Sequence, residues 1–410
     1  MEEEEMIVPK ENTENVDYRM LATTLYGMEE VLASELMKLG AKNIEKLPRA
    51  VAFTGDKGFM YKANYCLRTA TRVLKPIQEF RVQNEEDLYE KIKKIEWEIY
   101  LHELDTLAVD TSLRTDFFQH SQFVSQKVKD AIVDRFRERT GKRPSVDLDR
   151  PWLRVNIHIH DMDCTVSLDS SGASLHKRGY RDQTNLAPLN EVLAAGLISL
   201  TGWDKRSVFI DPMCGSGTIV TEAALMAANI PAGYFRKEFG FQTWKDYDEA
   251  LWELIKESAL KRITDHEVKI YGSDISGNVT KKAKSNVKDA KVDDMVTITT
   301  CAFEELQKPE GVTRGVIVMN PPYGERMDKD DIGALYKMIG DTLKKNWQGF
   351  DAWLISSNSE AVNKIGLRHN RRISVYNGGL ECKFLKYEMY AGTKKLHKIK
   401  KEDGESDSNP

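Results

Sequence analysis

Two patterns of apolar and polar residues divide the chain near residue 180. Before that point, strand-like and helix-like runs mix in no fixed order. Arg19-Met-Leu-Ala-Thr-Thr24 reads as extended, Met28 to Leu39 as an amphipathic helix ending at Gly40, and Ala50-Val-Ala-Phe-Thr54 as extended again. Phe59 to Thr71 has helical period and Val73 to Phe80 strand period, so residues 17–80 predict a small α+β unit of ferredoxin-like character. Over residues 81–170 the pattern predicts a helix at Asn84–Ile92 and a strand at Thr106–Ser112. A long helix follows at Ser121–Thr140, then a hairpin pairing Trp152–His160 with Asp163–Asp169 through a turn at Asp161. Ser170-Ser-Gly-Ala-Ser174 has the composition of a linker.

Beyond residue 180, apolar runs alternate with helical periods. Strands are expected at 207–211, 268–273, 296–300, 315–319, 351–357, 372–376 and 384–390, with helices at 190–200, 216–229, 276–290 and 331–347. Such alternation implies an α/β fold with a doubly wound, mostly parallel sheet. Ligands of these sheets sit at the carboxyl ends of the strands, where strand order reverses. Residues 229–267 form an insertion rich in aromatics, expected either to cover the pocket or to form a peripheral helix with its own small core.

Three strand ends carry chemistry. Ser207-Val-Phe-Ile-Asp211 runs into Pro212-Met-Cys-Gly-Ser-Gly-Thr218 and then a helix. Gly215 and Gly217 let a ligand approach the backbone, and the helix start offers free N–H groups. The third glycine of a dinucleotide fingerprint is absent, Val220 standing there. The ligand suggested instead is S-adenosylmethionine, with Asp211 near its ammonium and Asp274 accepting from the ribose hydroxyls. Asp211 could alternatively close an Asx turn, and Asp274 could cap the helix that follows. At the third end, Asn320-Pro-Pro-Tyr323 suits an exocyclic base amine, whose lone pair is delocalised into the ring. Asn320 supplies a side-chain acceptor, and Pro321 with Pro322 aims a carbonyl at the second N–H. Tyr323 offers a stacking face worth about 1–3 kcal/mol. An ordinary turn after a buried strand is the competing reading. The chemistry implied is in-line methyl transfer to a looped or flipped base, with no strong general base required.

Composition narrows the class. At 410 residues, 41% apolar and 30% charged, the chain reads as two or three soluble domains without a membrane span. Five scattered cysteines form no CxxC, which suggests free thiols in the cytoplasm and no metal site. The net charge is −4, but residues 1–15 and 401–410 are acidic, and the body between them is basic by about four charges. Both termini, 1–16 and 394–410, have the composition of disordered tails. Residues 127–154 hold nine Lys/Arg against five acids, and His176-Lys-Arg-Gly-Tyr-Arg181 is a further basic run. Lys127, Lys129, Arg143, Lys177, Arg178 and Arg181 are the expected phosphate contacts on RNA.

Several motifs together resemble the THUMP-containing guanine-N2 RNA methyltransferases, close to the N-terminal half of the large-subunit ribosomal RNA methyltransferase L family. They are Thr23-Thr-Leu-Tyr-Gly-Met-Glu-Glu30, Ser125 to Phe136, Ser174-Leu-His-Lys-Arg-Gly-Tyr-Arg181, Ala187-Pro-Leu-Asn-Glu191, the glycine loop, and Asn320-Pro-Pro-Tyr-Gly-Glu-Arg326. The resemblance spans about residues 17 to 393. It implies a ferredoxin-like start, a THUMP RNA-binding region over 81–170 and a class I (Rossmann-like) methyltransferase over 171–393. It also implies that Thr184, Asn185 and Pro188 enclose the cofactor with Asp211, Pro212, Gly215, Gly217, Thr218, Asp274, Ile275 and Asn320. The partner implied is RNA, 23S ribosomal RNA or its precursor, with a monomer favoured. Two departures stand out. No second methyltransferase domain follows, so at most one modification is expected. Cys301 occupies a strand end where an acid is expected near the adenine, which leaves that contact to Ala302 and Phe303. Competing readings are a transfer-RNA guanine-N2 methyltransferase, an adenine-N6 DNA methylase and a non-catalytic RNA-binding assembly factor.

Overall fold

The computed structural model describes residues 16–181, 189–265, 267–323 and 329–390. In chain order the front half runs β1 (Tyr18–Thr23), α1 (Glu29–Leu39), β2 (Lys42–Leu47), β3 (Ala50–Gly55), α2 (Lys57–Cys66), β4 (Arg72–Arg81), α3 (Glu85–Lys94), β5 (Thr106–Arg114), α4 (Ser121–Thr140), β6 (Ser145–Val146), β7 (Leu153–His160) and β8 (Asp163–Asp169). The back half continues with α5 (Glu191–Thr201), β9 (Val208–Asp211), α6 (Thr218–Ala227), α7 (Glu249–Leu260), β10 (Ile270–Asp274), α8 (Gly277–Asp289), β11 (Val296–Thr300), β12 (Gly315–Met319), α9 (Lys329–Asn346), β13 (Phe350–Ser356), α10 (Ser359–Lys364), β14 (Arg371–Asn377) and β15 (Leu380–Glu388).

The front half is one eight-stranded sheet, ordered β2-β3-β1-β4-β8-β7-β5-β6. The two α+β units expected from the sequence meet where β4 pairs antiparallel with β8, Leu74 opposite Asp169 and Phe80 opposite Cys164. Strand β2 escapes the apolar pattern because it is a polar, largely exposed edge. Helix α2 starts where the Asp56 side chain accepts from the Phe59 N–H at 2.7 Å. It stops at Cys66, short of the expected Thr71. The Glu35 carboxylate draws the next N–H groups out of the helix, accepting from Arg68 at 3.3 Å and Thr69 at 2.9 Å.

The stretch read as a linker is a clamp. Ser170 and Ser171 are fully buried. The Ser170 hydroxyl donates to the Val73 carbonyl and accepts from the Asn64 amide, while the Ser171 hydroxyl donates to the Asn64 oxygen. The aromatic insertion is also placed differently from either expectation. Phe239, Phe241, Trp244 and Trp252 join the front-half core. Phe241 stacks on Tyr61 of α2 with ring centroids 4.2 Å apart, and Trp252 meets Tyr65 edge-on at 5.3 Å.

The back half is a seven-stranded sheet, ordered β11-β10-β9-β12-β13-β15-β14. Strand β15 runs antiparallel to β13 and β14, and the other pairings are parallel. Strand β9 lies between β10 and β12, Ile210 opposite both Tyr271 and Ile317, so the chain reverses direction across the sheet there. The loop before α1 docks onto this half: Met28 is buried in its core, and Tyr26 meets Tyr376 edge-on at 5.3 Å. No helix among the described residues is long and apolar enough to cross a membrane.

Candidate active site

A cavity of about 1090 Å³ opens over the carboxyl ends of β9, β10, β11 and β12. Asp211, Pro212, Gly215, Thr218, Asp274, Ile275, Ala302, Phe303 and Asn320 to Tyr323 all line it, so the strand-end motifs converge on one crevice as the topology requires.

The glycine loop is tied to its neighbours. Cys214 N–H donates to the Ser273 carbonyl at 2.8 Å, and the Asn286 amide of α8 donates to the Ser216 carbonyl at 2.9 Å. Both glycines have positive φ, +54° at Gly215 and +84° at Gly217, a conformation that favours glycine. Their bareness serves different ends. A Cβ at Gly215 would meet nothing within 4 Å, whereas one at Gly217 would stand 3.2 Å from the Ala283 Cβ. Gly217 therefore lets α8 pack closely, and only Gly215 leaves room for a ligand.

Asp211 is buried and its Oδ1 accepts from the Met213 N–H at 3.1 Å, the Asx turn weighed above. Burial pushes its carboxyl up to about 8; the Met213 bond pulls partly back, and the charge of Asp274 adds to the rise. Asp274 is not the cap of α8, which starts after Ser276. Its carboxylate instead ties two loops together, accepting from Ser276 N–H at 2.9 Å and Gly215 N–H at 3.2 Å. Each oxygen keeps a lone pair for a hydroxyl. Beside it Ile275 is 78% exposed, an apolar surface left open at the cavity wall. Phe303, on the cavity wall, is buried with its ring stacked on Trp347 at 6.0 Å.

Asn320 follows the fully buried β12, and its side-chain oxygen is buried without a hydrogen-bond partner. A lone buried acceptor is costly unless something donates to it. Pro321 is buried and Pro322 exposed. Tyr323 is held at its far end, its hydroxyl accepting from the Asn377 amide at 2.7 Å. Asn377 and Leu380, at the tip of the β14–β15 hairpin, and Leu335 and Met338 of α9 also line the cavity. These four escaped sequence reading. Asn377-Gly378-Gly379 signals a hairpin turn, but nothing local says where its tip reaches. The residues present fit an adenosyl ligand: an open glycine face, a carboxylate with spare acceptors, an apolar shelf and an unmet acceptor where the reacting group would lie.

Residues 178–386 match the RMKL-like methyltransferase domain family, 82–169 the THUMP domain, and 19–74 the ferredoxin-like domain of RlmL. The chain belongs to the RMKL-like methyltransferases. A candidate RNA methyltransferase of Synechocystis sp. is 39% identical over 371 residues, 90% of this chain and 96% of that protein. The ribosomal RNA large subunit methyltransferase K/L of Syntrophotalea carbinolica is 38% identical over 381 residues, 90% of this chain. Only 53% of that relative is covered, so this chain spans about half its length. The crystal structure of SMU.472, a candidate methyltransferase complexed with SAH (S-adenosylhomocysteine), superposes with a TM-score of 0.80 at 26% identity, over 92% of this chain and 99% of that one.

In this RMKL-like methyltransferase two expected phosphate contacts are corrected. Arg178 is 2% exposed; it pairs with the buried Glu222 at 3.4 Å and donates to the Leu175 carbonyl at 2.9 Å. Arg181 pairs with the buried Glu191 at 3.2 Å and donates to the Leu189 carbonyl and to the Thr218 hydroxyl. Both charges are spent inside the fold, and Arg181 braces the start of α6 instead. Lys177 and Arg143 are exposed. Lys127 is half-buried, paired with Glu86 at 3.0 Å, and Lys129 pairs with Asp130. Thr184, Asn185, Pro188, Glu325 and Arg326 lie outside the described residues. Among the described residues no three His, Cys, Asp or Glu side chains gather as a metal site.

Proposed function

We propose that this protein methylates the N2 amine of a guanine in 23S ribosomal RNA. It is an S-adenosylmethionine-dependent RNA methyltransferase of the K/L type. The observation that carries the finer reading is the buried, unpartnered oxygen of Asn320 at the cavity. An amide oxygen so placed accepts from one N–H of an exocyclic amine, and the Pro321 carbonyl accepts from the other. Held by both acceptors, the nitrogen turns its lone pair toward the donor. Tyr323 is the stacking face, fixed by Asn377. When bound, S-adenosylmethionine supplies the electrophilic methyl. Asp274 accepts from its ribose; Ile275, Ala302 and Phe303 border its adenine; and Asp211 faces its ammonium. Ribosomal RNA is favoured by the match to the K/L relative, and the THUMP region supports grip on structured RNA. The same reading puts the protein in the cytoplasm, where a monomer acts on the large-subunit RNA or its precursor.

Nucleoside mass spectrometry of ribosomal RNA, transfer RNA and DNA tests this, comparing cells lacking the protein with cells carrying wild type or Asn320→Ala. Wild type should restore one N2-methylguanosine to 23S RNA and Asn320→Ala should not, while RNA binding persists. Loss from transfer RNA instead would keep the chemistry and replace the substrate. A change confined to N6-methyladenine in DNA would replace the base. If Asn320→Ala complements fully, the catalytic reading fails and an assembly factor remains.

A further inference from the structure

A second cavity, of about 580 Å³, lies where the ferredoxin-like unit, the end of α5 and the aromatic insertion meet. It lies away from the reaction crevice: Lys205 on its wall precedes β9, whereas the reaction crevice opens at the far, carboxyl end of that strand. Lys38, Lys62, Arg68, Lys205 and Arg262 line it, against Glu35 as the one lining carboxylate among the described residues. Glu35 is already engaged, accepting from the N–H groups of Arg68 and Thr69 and from the Thr69 hydroxyl. None of the five cations forms a side-chain ion pair among the described residues. Arg68 is 8% exposed; its Nη2 donates to the Leu225 and Ile230 carbonyls, but Nη1 is buried without a partner. Five cations from three parts of the chain repel one another around one space. Burial and that repulsion hold Lys62 and Lys205 below the usual lysine range, Arg262 acting on Lys62, and Arg68 and Lys38 on Lys205.

We propose that this cavity is a phosphoryl-binding site. A phosphate group satisfies the pattern: several acceptor oxygens, one negative charge in a diester or up to two in a monoester, and a geometry that guanidinium and ammonium donors share. A neutral ligand would leave the repulsion in place. The phosphoryl group comes either from a small phosphorylated ligand or from the backbone of bound RNA. Because the donors sit on three segments, occupancy also holds the front half against the methyltransferase sheet.

Equilibrium dialysis of the full chain with radiolabelled inorganic phosphate, at ionic strength fixed with chloride, tests it. Saturable binding of one phosphate per chain is expected. The double variant Lys62→Gln, Arg262→Gln should bind at least about tenfold more weakly. Arg68 is left in place because its carbonyl bonds support the fold. Retained S-adenosylmethionine affinity in the variant shows that it is folded. Displacement of the label by a ribosomal RNA fragment assigns the site to RNA backbone, and retention assigns it to a small ligand. Absence of saturable binding, or equal binding by a folded variant, overturns the proposal.

Discussion

Asp211 shows how one buried side chain sets stability against binding. Its carboxyl rises from 3.8 to about 8 on folding. Between those values the folded chain holds a proton that the unfolded chain has released, so stability falls as pH rises through that window. Asp211→Asn removes the loss. In ligand-free protein the thermal midpoint of the variant near pH 8 should exceed that of wild type, and its pH dependence should flatten. S-adenosylmethionine should bind the variant about tenfold or more weakly, since a cation then meets a neutral amide. Thermal scans and calorimetric titrations across pH check both halves, and an unchanged pH slope would show that Asp211 is already ionised in the empty crevice. At this scale the sequence was a good guide to residue types and a poor one to their surroundings. Asp211, Asp274 and Asn320 stand at strand ends and converge as expected. Arg178 and Arg181 read as surface cations because their partners, Glu222 and Glu191, are brought to them only by folding.

Elements were legible where burial is complete. Gly315–Met319 is an unbroken apolar run, buried throughout, and the bounds of the four strands at the crevice fall within two residues of those expected. The polar edge β2 carried no such signal, and α2 ended early through a carboxylate on another helix. The insertion was legible as aromatic but not in its allegiance. Trp252 touches Tyr61, Tyr65, Phe239 and Phe241, so Trp252→Ala should cost about 3–5 kcal/mol in urea unfolding. A loss below about 1 kcal/mol would mean that α7 merely rests against the front half.

Across the whole molecule, acidic ends flank a basic body, and phosphate contacts should give RNA affinity a steep dependence on salt. Replacing the exposed Arg143 or Lys177 by Ala should reduce the log–log slope by about one each. Arg178→Ala should behave differently: it strands the buried Glu222 and costs about 3–5 kcal/mol of stability. Filter binding over a salt series, run beside urea melts, separates the two outcomes. A flat salt response would remove phosphate contacts from the RNA reading altogether.

The aromatic insertion has a consequence for how the chain is made. Strands β4 and β8 cannot pair until about residue 169 has left the ribosome, and the front core still lacks Phe239, Phe241, Trp244 and Trp252. The front half, though encoded first, therefore finishes only after the whole glycine loop and α6 have been synthesised. Vectorial synthesis cannot complete the halves one after the other. A nascent chain cut before residue 239 leaves the Tyr61–Tyr65 face of α2 uncovered, an apolar surface for chaperones to hold.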